Sequence, residues 1–269
     1  MRNQLQLGRI YNSAGVPLFV ALVNEGKGVA RGIETSLEVR FLKRLHLQAY
    51  YGYSEVQGLF DDATSDWRYV SDAQYPPAPQ YLIPLSFAET HRGSLLAGVE
   101  FPEEDGTVLN GLGLDLILTF NSGSRYTPVS VMPLSGAASP WNVGVKSFVD
   151  LRAANPTAGE NSLTTPLYFN CDLQLRKEFV IDPLRIEFTI NILNVFNRKH
   201  VLNVYPTTGS PNDDGWLLVP AADYSKSHPG YEEFYKTINL DNRWGYMSAT
   251  GNDIYGMPRQ IRIGLKVKI

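Results

Sequence analysis

The chain has 269 residues, 43% hydrophobic and 19% charged, with a formal net charge of −3. That length suits one large domain or two small ones, and the charge gives no reason to expect a nucleic-acid partner. One cysteine, Cys171, excludes an internal disulfide, and no Cys/His spacing suggests a metal site. No apolar run reaches the roughly 18 residues a membrane-spanning helix requires. Aromatic residues make up 12% of the chain, 15 of them Tyr. That content fits surfaces that are half wet and half apolar.

Alternation with a period of two dominates the chain, and it predicts strands. Two weaker strands fit 2–11 and 17–24, with a hairpin at 24–30. Next, Ile33, Leu37, Val39 and Phe41 oppose Glu34, Ser36, Glu38 and Arg40. Beyond Lys43-Arg44, Leu45, Leu47, Ala49, Tyr51 and Tyr53 oppose His46, Gln48, Tyr50 and Gly52. His91-Arg92 opens a strand whose apolar row is Leu95, Ala97, Val99 and Phe101. Leu112, Leu114, Leu116, Leu118 and Phe120 form another row. In 167–181, Phe169, Cys171, Leu173, Leu175 and Phe179 face away from Asn170, Asp172, Gln174, Arg176 and Glu178. Asp182-Pro183 is a tight-turn signal before the row Leu184, Ile186, Phe188, Ile190 and Ile192. The last segment, 257–269, places Ile261, Ile263, Leu265, Val267 and Ile269 opposite Gln260, Arg262, Gly264, Lys266 and Lys268. The total is about nine strands and no convincing amphipathic helix.

The connections near 12–15, 43–44, 102–110 and 182–183 are short. Those at 58–91, 124–166 and 199–256 are long and rich in Pro, Gly, Asn, Asp and aromatics. Only the hairpin at 24–30 breaks this alternation. Short turns at one end and long loops at the other characterise outer-membrane β-barrels. The strands also approach the roughly 9–11 residues needed to cross a bilayer at a tilt. Soluble sandwich strands are shorter, about 5–6 residues. The expected fold is therefore all-β: an antiparallel transmembrane β-barrel, here a partial barrel of about nine long strands. The apolar rows face lipid and the polar rows face a wet lumen. A small autonomous barrel with 2–11 paired to 257–269, and a secreted β-sandwich, are the alternatives.

Four segments carry a family resemblance. Ile190-Asn191-Ile192-Leu193-Asn194-Val195-Phe196-Asn197-Arg198-Lys199 resembles the penultimate-strand element of TonB-dependent outer-membrane receptors. Tyr255-Gly256-Met257-Pro258-Arg259-Gln260 resembles that family's entry to its last strand. Gly28-Val29-Ala30-Arg31-Gly32-Ile33-Glu34 is similar to another of its strands. Ser122-Gly123-Ser124-Arg125-Tyr126-Thr127-Pro128 resembles a loop of relatives with a carboxypeptidase-regulatory-like N-terminal domain. The four stand in the family's order across nearly the whole chain, although Ile269 replaces the usual terminal aromatic residue.

The resemblance implies a barrel of about 22 strands around an N-terminal plug. It implies energised uptake of a scarce ligand, driven by the TonB system through that plug. Residues 1–269 would then be the C-terminal portion of the barrel domain, without the plug or signal peptide. The expected location is the bacterial outer membrane, with its lipid as partner. The ligand would be a small molecule such as an iron chelate, cobalamin, a glycan or a peptide, met by the loops 58–91, 124–166 and 199–256.

No enzyme is expected: no nucleophile elbow, phosphate loop or Ser/His/Asp order is present, so catalytic, cofactor and metal residues are none. Glu34, Glu38, Asp115, Asp172 and Glu187 share the lumen face with Arg40, Arg176, Arg185 and Lys266, as a charge-mixed wet lumen would require. Asn191, Asn194 and Asn197 are read as structural, with a β-bulge near Leu193. Asp61, Asp62, Asp66, Asp213 and Asp214 are read as solvated loop carboxylates, with loop calcium as the less favoured reading. Tyr50, Tyr51, Tyr53, Tyr126, Phe179, Tyr246 and Tyr255 are expected to form an interfacial girdle, and Cys171 to be inert on the apolar face.

Overall fold

The computed structural model describes residues 2–41, 44–59, 61, 81–102, 108–130 and 155–269. In chain order the strands are β1 (Arg2–Tyr11), β2 (Pro17–Phe41), β3 (Leu45–Gly58), β4 (Ile83–Pro84), β5 (His91–Phe101) and β6 (Leu112–Asn121). Four two-residue strands follow: β7 (Arg125–Tyr126), β8 (Val129–Ser130), β9 (Asn155–Pro156) and β10 (Leu163–Thr164). The last three are β11 (Tyr168–Ile181), β12 (Leu184–Leu193) and β13 (Gln260–Lys268).

One antiparallel sheet contains all the long strands, in the order β1-β2-β3-β5-β6-β11-β12-β13. Every long strand therefore lies beside its sequence neighbour. The sheet is open: β1 and β13 are its two ends and do not pair with each other. The β1–β13 pairing that a small closed barrel requires is thus absent among the described residues. Only the short ladders β7–β10 and β8–β9 lie outside the sheet.

The hairpin expected at 24–30 does not form, and the two strands expected at 17–24 and 33–41 are one strand, β2. The long strands therefore number eight rather than about nine. At Lys27 and Gly28 the chain changes partner without turning. Arg2 pairs with Lys27 on one edge, and Gly28 pairs with Gly58 on the other. The register with β1 is irregular on both sides of Gln4, which pairs with Gly26. The Asn/Gly-rich stretch accommodates a bulged handover, a second common use of glycine in strands. As a result the β1–β2 hairpin, turning at Asn12–Val16, continues past the end of β3. Its Pro17–Lys27 arm adds roughly 35 Å at about 3.3 Å per residue. The turn at 12–16 therefore lies at the long-loop end, and the turns at 42–44, 102–111 and 182–183 share the other.

The registers align the two sets of side chains across every strand. Leu37, Ala49, Leu95, Leu118 and Cys171 form one continuous cross-sheet row, with Val39, Leu47, Ala97, Leu116, Leu173, Ile192 and Ile261 beside it. Glu34, Gly52, Arg92 and Asn121 align on the opposite face. Nothing covers most of the apolar face: Ile33 is 68% exposed, Ile263 69% and Leu265 68%. Cys171, on the same face, is buried among its neighbours.

Charge meets the apolar face near both ends. Toward the long loops, Arg31 holds Glu55 at 2.6 Å, and the Tyr53 hydroxyl donates to Glu55 at 2.5 Å. Toward the short turns, Lys177 follows the apolar row, facing Leu112 and Phe188. Its ammonium reaches back to the carbonyls of Val108, at 3.1 Å, and Asn110. A long cationic side chain that bends to polar groups at the edge of an apolar surface is snorkelling. The apolar face continues past Lys177 through Phe179, Ile186 and Val267, so it runs from Ile33 to Phe41 on β2 and from Phe169 to Phe179 on β11.

Two clusters of buried hydrophobic residues lie in the connection between β12 and β13. That segment contains 3₁₀ turns at Trp216–Leu218 and Pro220–Ala222, a π turn at Lys236–Asp241, and the helices α1 (Asp223–Lys226), α2 (Tyr231–Tyr235) and α3 (Trp244–Thr250). Trp216, Val219, Ala222, Tyr235 and Leu240 form one cluster; Tyr205, Tyr246, Ile254 and Tyr255 form a second. The connection 199–256, read from the sequence as a long loop, is a small folded module.

Candidate functional site

The polar face carries its charges in pairs. Arg92 meets Glu34 at 2.8 Å, and the Tyr50 hydroxyl donates to the same carboxylate at 2.9 Å. Arg40 contacts Glu38 at 2.9 Å, His46 contacts Asp115 at 3.2 Å, and Arg185 lies 3.7 Å from Glu178. Arg176 bridges to Glu100. Glu34, Glu38, Arg40, Asp115, Asp172, Arg176, Arg185, Glu187 and Lys266 all share this face, as the sequence predicts. Sequence spacing did not reveal His46, Arg92 and Glu100 as partners, because the pairs are cross-strand. The His46–Asp115 contact needs Gly98: a Cβ there would meet the His46 ring at 2.0 Å and Asp115 Oδ1 at 2.3 Å. Such exposed pairs contribute little to stability individually, because water screens them. Together they give a hydrated, charge-balanced wall.

Three long connections meet above this wall. The Asp61 carboxylate accepts from Ser86 N at 2.6 Å and from Asn161 Nδ2 at 3.0 Å. Asn161 also donates to the Pro84 carbonyl at 3.0 Å, and its own N–H donates to Thr127 Oγ1 at 2.9 Å. Arg125 donates to Thr90 Oγ1 at 2.9 Å. Val129 N–H donates to the Pro206 carbonyl at 3.1 Å, tying in the third connection. Asp61 is thus a structural acceptor rather than a solvated carboxylate. Asp62 and Asp66 lie outside the described residues, as does much of 58–91 and 124–166.

The three asparagines read as structural sit at the base of the loop module. Asn194 and Asn197 have φ of 54° and 48°, a left-handed conformation that Asn tolerates better than most residues. β12 ends at Leu193 and its pairing with β13 is regular, so the phase change there marks a turn, not a β-bulge. Asn194, 5% exposed, donates to the carbonyls of Arg198 at 2.9 Å and Met257 at 3.3 Å and accepts from Arg198 N. Asn197 accepts from Arg259 N at 3.0 Å. Together they hold the start and end of the module over one hairpin. Asn194→Ala should cost about 2–4 kcal/mol, from several hydrogen bonds at about 1 kcal/mol each plus left-handed strain. Tryptic cleavage after Arg198 or Lys199 should accelerate accordingly. Asn194→Gly should recover the strain component but not the hydrogen bonds; equal cleavage rates for wild type and Asn194→Ala would refute the anchoring role.

The girdle expectation is corrected in part. Tyr51 and Phe120 stack at 6.5 Å on the apolar face beside His91, and Phe169 stacks on Phe196 at 6.4 Å. Phe179 marks the other end of the band, with Lys177 over its ring. Tyr50 belongs to the polar face, and Tyr246 and Tyr255 are core residues of the module. Tyr126 lies in β7, among the knitted loops.

Within the module, Arg243 grips Asp253 through two contacts, at 2.5 and 3.0 Å, and lies over the Tyr255 ring. This pairing holds the Asp253 carboxyl below its usual range. Asp214, expected as a solvated loop carboxylate, is 2% exposed. Its carboxylate accepts from Trp216 N at 3.0 Å and from the Tyr235 hydroxyl. Burial raises the Asp214 pKa, only partly offset by those hydrogen bonds. A raised folded-state value favours the protonated fold, so this contribution is full below the unfolded value near 4. It disappears as pH rises through the folded value. Protease resistance of the module is expected to increase on acidification across that window, and Asp214→Asn is expected to flatten the response. Asp253 acts in the opposite direction in both proteins, so the difference between them isolates Asp214; an unchanged slope in the variant would sink the assignment.

Among the described residues, no three His, Cys, Asp or Glu side chains converge to hold a metal ion. Among the described residues, no helix is long and apolar enough to cross a membrane. No protein-family model matches the chain, and no curated protein matches it at a significant level.

Proposed function

We propose that this chain is the C-terminal part of the barrel wall of an outer-membrane receptor of the TonB-dependent type, which takes up a scarce ligand. The supporting observation is the apolar band, exposed along most of its length and met by charge near both edges. A strand of about ten residues tilted at roughly 45° spans about 24 Å, the height of an outer-membrane apolar belt. A soluble protein rarely exposes a contiguous apolar patch above a few hundred Å². Behind the band, the paired charges suit a water-filled lumen. Among the described residues, no strand pairs with the outer edges of Val29–Phe41 and Gln260–Lys268, and lipid does not tolerate unpaired backbone groups. On this reading further strands pair there and complete a larger barrel around a plug. The receptor assignment itself rests on the four motif resemblances.

The test uses the natural protein in its own cells. Sedimentation with the outer membrane, resistance to alkaline extraction and surface labelling by an antibody to residues 199–256 are the expected results. Uptake of its ligand should stop when the inner-membrane proton gradient is collapsed. A protein that stays soluble without detergent would favour a secreted β-sandwich and overturn the reading.

A further inference from the structure

A pocket of about 350 Å³ opens on the polar face where β11, β12 and β13 meet the loop module. This is within the usual size of small-ligand pockets, about 300–1,000 Å³. Asn170 and Asp172 line one side, His200 and Leu202 a second, and Met257, Pro258 and Arg262 a third. His200 is 5% exposed, yet neither Nδ1 nor Nε2 has a hydrogen-bond partner among the described residues. Asn170 Oδ1 also lacks one. Native proteins contain few such atoms, and here three belong to two residues that line one cavity.

The neighbouring groups are already committed. Asp172 Oδ1 accepts from Asn194 N at 2.8 Å and from Asn170 Nδ2 at 2.9 Å. The second contact fixes the Asn170 amide by its nitrogen and leaves its oxygen as the spare acceptor. The Tyr168 ring lies 4.6 Å from the His200 ring and holds it in place. Gly256 lets the opposite wall approach, because a Cβ there would meet the His200 Cβ at 3.3 Å.

We propose that this pocket binds a neutral, polyhydroxylated small molecule of the sugar or polyol class, with His200 and Asn170 as its hydrogen-bonding partners. A neutral imidazole offers one donor and one acceptor, and the amide oxygen adds an acceptor. Serving all three takes at least two hydroxyl groups, one donating to each acceptor and one of them also accepting from the ring N–H, which a polyhydroxylated molecule supplies. Burial, helped by the nearby Arg198 charge, lowers the His200 pKa and keeps the ring neutral. Asp172 and Arg262 line the same pocket with opposite charges, so a charged ligand gains nothing net. Leu202, Met257 and Pro258 supply an apolar surface for the C–H side of a ring. The proposal deepens the receptor reading by naming a ligand class on its lumen wall, but the binding itself can be measured without transport.

The experiment titrates the detergent-solubilised full chain with D-glucose, D-mannose, N-acetylglucosamine and glycerol. It follows the His200 imidazole nitrogens by NMR and the bound probe by equilibrium dialysis. Saturable binding of at least one probe that moves the His200 signals is expected. His200→Phe and Asn170→Leu should each weaken it tenfold or more, while Ser227→Ala, elsewhere on the module, should not. Heat-modifiable gel mobility and circular dichroism control for folding: both pocket variants should match wild type and still lose affinity. Absence of saturable binding by all four probes, or equal affinity in both pocket variants, overturns the proposal. Intact binding in a protein that fails the membrane tests would retain the pocket and remove only the receptor reading.

Discussion

Ile190→Arg should destabilise the protein in a bilayer by about 2–4 kcal/mol, a shift of roughly 30- to 1,000-fold in the folding equilibrium. Ile190 lies on β12 with Leu175 on one side and Ile263 on the other, in the middle of the apolar band. An arginine there has no carboxylate within reach, and the bilayer offers its guanidinium no water. The neighbouring Thr189→Arg provides the control. Thr189 faces Arg176 and Gly264 on the polar side, where a long charged side chain can remain hydrated. The measurement is urea titration of vesicle-embedded protein, with heat-modifiable gel mobility reporting the folded fraction. A large loss for Ile190→Arg and a small one for Thr189→Arg assigns the apolar face to lipid. Similar small effects for both would mean that water or protein covers that face.

The alternation that marks these strands was legible because a sheet with one apolar and one polar face requires little else of its sequence. Each side chain needs only to suit one of two environments, so Ile186 to Ile192 and Ile261 to Val267 are unambiguous. The 24–30 segment was misread for a physical reason. Asn24-Glu25-Gly26-Lys27-Gly28 has the composition of a hairpin turn. The same glycines also permit the irregular pairing by which β2 leaves β1 and joins β3, and local composition does not distinguish these uses. Cross-strand pairs such as His46–Asp115 depend on register, which becomes visible only once strands are aligned. The Asp61–Asn161 contact joins residues 100 positions apart, and no local pattern announces it.

The loop module was the least legible part. Its helices span four to seven residues, too short for a 3.6-residue periodicity to emerge. Gly215 and Gly230, which precede two of its helical turns, have positive φ and resemble ordinary loop glycines in the sequence. Its tyrosines suggested a membrane girdle because Tyr favours both interfaces and mixed cores. Tyr205 and Tyr246 meet edge-to-face at 6.2 Å, and burial raises the pKa of each hydroxyl. The candidate ligand pocket depends on this folding, since the module's base brings His200 over Asn170 and Asp172.

Trp216→Ala should cost about 3–5 kcal/mol within the module while leaving the sheet in place. Trp216 is 3% exposed and packs with Val219, Ala222, Tyr235 and Leu240. Its indole N–H donates to the Tyr231 hydroxyl at 3.0 Å, and its backbone N–H donates to Asp214. Truncation removes the largest side chain from a cluster this small, and few neighbours can close the space. The sheet is held by its own ladders, from β11–β12 to β12–β13, and by none of these contacts. Hydrogen exchange should therefore show faster exchange across 205–255 and unchanged protection in 168–193 and 260–268. The pocket probe should also bind more weakly, because Leu202 and Gly256 are set by the module's base through Leu202 N to Ile254 O and Gly256 N to His200 O, both near 2.9 Å. Uniform loss of protection across strands and module would show one cooperative unit instead, and would mean that the loop core stabilises the wall on which it stands.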